Sequence, residues 1–155
     1  MFRTAARGFG LLEVLVVLGV MLLLVSVILY SLGNFRNKEA LNGDVQGVAA
    51  VLEEARELTL SGKEASNFGV HFQSDRVVRF KGAVYNPNDP ANLVMVLDPL
   101  VAISQIALTG AATETVFAKL TGEVNAYGTI TISLAANPVE SKTVRISKTG
   151  LVIVE

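Results

Sequence analysis

Nineteen consecutive residues without a charge, Val14 to Leu32, constrain this 155-residue chain more than any other feature. As a helix rising about 1.5 Å per residue, such a run matches the ~30 Å hydrocarbon core of a bilayer. Lipid offers no partners to backbone N–H and C=O groups, so a helix is the form the segment must take there. Arg3 and Arg7 precede it in a stretch that carries no acid. That asymmetry predicts a cytoplasmic N-terminus, with everything after Leu32 outside.

The run does not read as an ordinary secretory signal. It exceeds the usual apolar core of about 7–15 residues, and no small-residue A-x-A-like cleavage site follows it. Glu13 also sits one turn inside the apolar segment. An acid at a membrane-helix centre costs roughly 2.5–3.5 kcal/mol on insertion scales, and less near an end. A plain anchor gains nothing from keeping it, so Glu13 is a candidate functional residue in need of a cationic partner.

Gly8-Phe9-Gly10-Leu11-Leu12-Glu13, after a short basic leader and before an apolar helix, resembles the prepilin cleavage motif of type IV pilins and type II secretion pseudopilins. The resemblance implies that a membrane prepilin peptidase cuts after Gly8 and N-methylates Phe9, with Glu13 becoming the fifth mature residue. The new Phe9 amine would then be the cation beside Glu13, within a subunit or between neighbours in a filament. Gly10 departs from the family, which usually has Thr there; Gly lowers helix propensity but touches neither the cleavage glycine nor the acid. The implied partners are the peptidase, other pilin or pseudopilin subunits, an inner-membrane assembly platform and the bilayer.

Beyond the apolar run, Leu41, Val45, Val48, Leu52, Ala55 and Thr59 recur at helical spacing, with most charges off the stripe. The pattern predicts one helix from about Gly10 to Leu60, roughly 75 Å at 1.5 Å per residue. Ser61-Gly62 should end it, Gly62 being suited to a left-handed cap. From Phe68 the period becomes strand-like. Eight strands are expected, at Phe68–Gln73, Arg76–Phe80, Leu93–Leu97, Ala102–Leu108, Thr113–Leu120, Gly128–Leu134, Thr143–Ser147 and Leu151–Val154. Turn residues separate them, and Gly150 should close the last hairpin. One antiparallel sheet with one apolar face is expected, covered by the Lys38–Leu60 stripe.

The fold class is therefore α+β and pilin-like, a long N-terminal helix whose first half is transmembrane packed on a C-terminal antiparallel sheet. Four segments follow: a leader at 1–8, the transmembrane half-helix at 9–32, the amphipathic half at 33–62 and a sheet domain at 63–155. The strand pairs from Phe117 to Val154 loosely resemble minor pseudopilins, which favours a minor subunit.

Composition narrows the function. The chain has no Cys and one His, which excludes disulfides, thiolate metal sites and Cys/His nucleophile pairs. His71, between Val70 and Phe72, is expected on the wet face of its strand rather than in a catalytic or metal role. No catalytic residue, cofactor or metal site is assigned, and the chain is not read as an enzyme. The oxygens of Asn86, Asn88, Asp89, Asn92 and Asp98 suit Ca²⁺, but they also suit a tight turn and lack EF-hand spacing. DNA uptake by a minor pilin is the alternative function. Eight basic residues from Lys63 to Glu155 are matched by eight acids, so nucleic acid would need a local cluster such as Arg76, Arg79 and Lys81, or Arg145 and Lys148.

Overall fold

The computed structural model describes residues 10–62 and 65–155, apart from the side chains of 30–32 and 34. One helix, α1, runs Leu11–Leu60. The chain divides into two compact units at Arg36/Asn37, and each is treated by itself.

In the first unit α1 begins at Gly10, whose carbonyl accepts from Glu13 N–H at 3.0 Å and Val14 N–H at 3.2 Å. Gly10 is thus the residue before the first helical turn, where glycine is tolerated far better than in a helix interior. The propensity cost anticipated for it does not arise.

In the second unit the stripe behaves as its spacing demands. Leu41, Val45, Val48, Leu52 and Ala55 are all buried against the strands. Thr59 is buried with them because both polar capacities of its hydroxyl are used: Oγ1 donates to Ala55 O at 2.8 Å and accepts Phe68 N–H at 3.0 Å. The helix ends at Ser61-Gly62, with Gly62 at φ 68° and its N–H bonded to Thr59 O at 3.3 Å.

Eight strands follow: β1 Phe68–Phe72, β2 Arg76–Lys81, β3 Leu93–Val96, β4 Val101–Leu108, β5 Glu114–Phe117, β6 Gly128–Leu134, β7 Ser141–Ile146 and β8 Val152–Val154. Each lies within about two residues of an expected position at its start; β5 ends three residues earlier. The single sheet expected is in fact two, ordered β3-β2-β1-β5 and β4-β6-β7-β8, with all pairs antiparallel. Alternation fixes which face of a strand is apolar but carries no record of which strands are neighbours.

Both inner faces meet the α1 stripe in one core that includes Val70, Phe72, Val77, Phe117, Ile130 and Val144. Gly47 lets β3 approach the helix, since a side chain there would run into Met95. The outer face of the first sheet is also covered over β1, β2 and β5. Val78, Phe80 and Val116 are buried on it, and Tyr85 lies against Phe80 with ring centres 5.6 Å apart.

Candidate functional site

Gly8 and Phe9 lie outside the described residues. Glu13 lies in the first turn of α1, where the N-terminal end of the helix dipole favours a carboxylate. From Leu11 to Leu29 no large apolar side chain is less than 48% exposed. The stretch has the length and composition to cross a membrane. Ser26, its one hydroxyl, donates to Leu23 O at 2.7 Å, so its O–H is satisfied inside the helix. Apolar side chains on every side of a helix have no stable place in water, whereas a hydrocarbon phase or packed neighbouring helices would cover them. Glu13 is then the one ionic group inside this surface, and any partner that buries it must bring a cation or pay heavily in desolvation.

The remaining candidates resolve toward structure. His71 does sit on the face of β1 opposite the core, but that face is not wet. Its ring stacks on Tyr85 at 4.2 Å and 11°, its side chain is 17% exposed, and Nδ1 is 3.4 Å from Glu114 Oε2. The expectation of a solvated face fails because the segment after β2 folds back over it. Tyr85 was the available signal, an aromatic in a turn-rich stretch with no core position of its own.

Three of the five candidate residues in the 86–98 stretch use their oxygens to hold their own turns, while Asn92 Oδ1 is buried without a hydrogen-bond partner. Asn86 Oδ1 accepts Asn88 N–H at 3.1 Å, and Asp89 Oδ1 accepts Ala91 N–H at 2.8 Å. Asp98 Oδ1 accepts Leu100 N–H at 2.9 Å. These are the side-chain-to-backbone bonds by which Asn and Asp form turns. Among the described residues no three His, Asp or Glu side chains converge as a metal site would need.

The basic residues are dispersed. Strand alternation puts Arg76 on the face of β2 opposite Arg79 and Lys81, so the three do not form one cluster. Arg76 pairs with Asp75 at 2.6 Å, Arg79 with Glu54, and Arg145 with Glu155 at 3.0 Å. The exposed Asp75–Arg76 hydrogen bonds hold the Asp75 carboxyl below its usual range. One contact had no local sequence signal. Asp44 Oδ2 of α1 accepts Asp98 N–H at 2.8 Å and ties the end of β3 to the helix. Burial raises the Asp44 carboxyl above its ordinary value; the Asp98 N–H opposes the rise and the Asp98 charge adds to it.

The sequence matches no protein-family model, and no curated protein matches it. Solved structures do match in shape. The minor pseudopilin EpsH from the type 2 secretion system of Vibrio cholerae aligns with TM-score 0.54 at 17% identity, covering 74% of this chain and 95% of that one. The type IV minor pilin FimU from Pseudomonas aeruginosa aligns in one crystal form with TM-score 0.55, covering 74% of this chain and 92% of that one at 14% identity. In a second crystal form the score is 0.58, with 78% of this chain covered, again at 14% identity. Over about three quarters of its length, this chain therefore has the pilin-like α+β fold of a type IV minor pilin and a type 2 secretion minor pseudopilin.

Proposed function

We propose that this chain is a membrane-anchored filament subunit of the type IV pilus or type II secretion pseudopilus kind, a minor one, and not an enzyme. The observation that carries the reading is an all-round apolar helix with one acid in its first turn, Glu13, on a chain whose folded part is pilin-like. In this reading the chain sits in the inner membrane with its N-terminus cytoplasmic, as Arg3 and Arg7 favour. A prepilin peptidase cuts between Gly8 and Phe9 and methylates Phe9. The helix then leaves the bilayer for a filament of like subunits on an assembly platform, with the Phe9 ammonium and Glu13 offsetting each other's burial. DNA capture gains no support from the dispersed, acid-paired basic side chains described above.

Mass spectrometry of the mature protein tests the reading. The expected N-terminus is methylated Phe9. An intact Met1, or a terminus created after Leu32, would overturn it.

A further inference from the structure

Two four-stranded sheets have four edge strands, and three of these are shielded. Along β5, the bridge Phe117↔Val124 and the bond from Val116 N–H to Asn125 Oδ1 at 2.8 Å border the edge. β4 is interrupted by a bulge between Ile103 and Gln105, and Ile103 N–H is taken by Ser74 O at 2.9 Å. β8, one residue shorter than β3, runs into the charged side chain of Glu155, which pairs with Arg145. Charge, bulges, short length and cover are how proteins keep sheet edges from recruiting other strands.

β3 lacks charge, bulge and proline. Leu93-Val94-Met95-Val96 runs in unbroken register with β2. The Leu97 N–H bond to Asp75 O, at 2.9 Å, sets the phase of the ladder. Hydrogen-bonded pairs alternate along an antiparallel ladder, so Met95 and Leu93 also bond to β2, while the N–H and C=O groups of Val94 and Val96 point away from it. These two residues are 48% and 63% exposed. At the C-terminal end of the strand, exposed Asp98 and the Asp44 carboxylate that holds its N–H make the edge acidic.

We propose that β3 is a strand-addition site for a partner protein. The partner segment is extended, alternately apolar, and carries Lys or Arg at the end that lies beside Asp98 and Asp44. Main-chain bonds to Val94 and Val96 give the affinity, and the acidic end selects the partner's charge and direction. A second copy of β3 is the wrong occupant. Paired antiparallel through Val94 and Val96 it would set Asp98 against Asn92, and paired parallel it would set Asp98 beside Asp98, so in neither direction does it bring a cation to the acidic end. The site stands whether or not the chain polymerises, because it uses neither Glu13 nor the apolar half of α1.

The test uses the full chain in detergent micelles and two labelled synthetic peptides with a common Thr-Val-Thr-Val-Thr core. One has two lysines at each end and the other two glutamates. The lysine peptide should bind at least about tenfold more tightly, the scale of one lost charge-assisted contact. Its binding should slow amide exchange at Val94 and Val96, with little change at Met95. Val94→Pro removes an outward N–H without touching the β2 ladder and should weaken binding about tenfold, whereas Val94→Thr should bind like the parent. Asp98→Asn keeps the oxygen that serves Leu100 N–H and should narrow the preference between the peptides. Failure of the lysine peptide to saturate, equal binding of both peptides, or exchange protection away from β3 would overturn the proposal. So would self-association that protects the same two amides and shuts the peptide out. The exchange measurement needs no variant, so poor folding of Val94→Pro would leave the result decisive.

Discussion

Glu13→Gln should leave the protein cleaved and membrane-resident, yet absent from sheared filaments. The substitution removes a charge from an apolar helix, so insertion becomes easier if it changes at all. The scissile bond expected after Gly8 lies five positions upstream of Glu13 in the sequence. Assembly is different. Packing the all-round apolar surface of Leu11–Leu29 into neighbouring helices would bury whatever cation sits beside Glu13. Removing one member of a buried ion pair typically costs about 3–5 kcal/mol, because the surviving charge is left without its partner. Cell fractionation of the variant beside the parent checks all three outcomes. Filament recovery equal to the parent's would remove the role assigned to Glu13 and leave it an incidental acid in an anchor.

The second large effect concerns what the sheets need in order to stand. A fragment beginning at Lys38 should be soluble and melt cooperatively, while one beginning at Lys63 should aggregate or melt early. Leu41, Val45, Val48 and Leu52 are each at most 5% exposed, and each contributes about 1.5–3 kcal/mol by burial. Their loss takes away an amount comparable to the roughly 5–15 kcal/mol that holds a domain folded. It would also bare the inner faces of both sheets, an apolar patch prone to association. Indistinguishable melting of the two fragments would show that the sheets close on themselves and that α1 is only an attachment.

The parts that were legible in the sequence are those set by local period. The α1 stripe from Leu41 to Thr59, its end at Gly62 and the positions of all eight strands follow from spacing and turn residues alone. What stayed hidden depends on distant neighbours. The split into two sheets is a matter of which edges meet, and the covering of His71 depends on where Tyr85 comes to rest. Asp44 reads as one polar residue among several off the stripe, and nothing within a few residues announces Asp98 as its partner. Arg76 and Arg79 were the reverse case. Their parity in the strand already separated them, and reading them as a cluster overlooked a period that was in view. Of the candidate site, Glu13 stood out because an acid in an apolar run is conspicuous without any structure.

The strand order bears on how the domain forms. β1-β2-β3 and β6-β7-β8 are runs of adjacent hairpins, which close quickly from local contacts. β4 and β5 are exchanged: the chain leaves the first sheet to lay β4 beside a β6 not yet reached, then returns to lay β5 beside β1. Neither sheet can be completed before the chain has crossed into the other. Rather than two modules that fold in turn, the pair should form one kinetic unit, with closure of β1–β5 and β4–β6 as its late, slow steps. Probes placed on either sheet should then report the same unfolding midpoint, and separate midpoints would show that each sheet can persist alone.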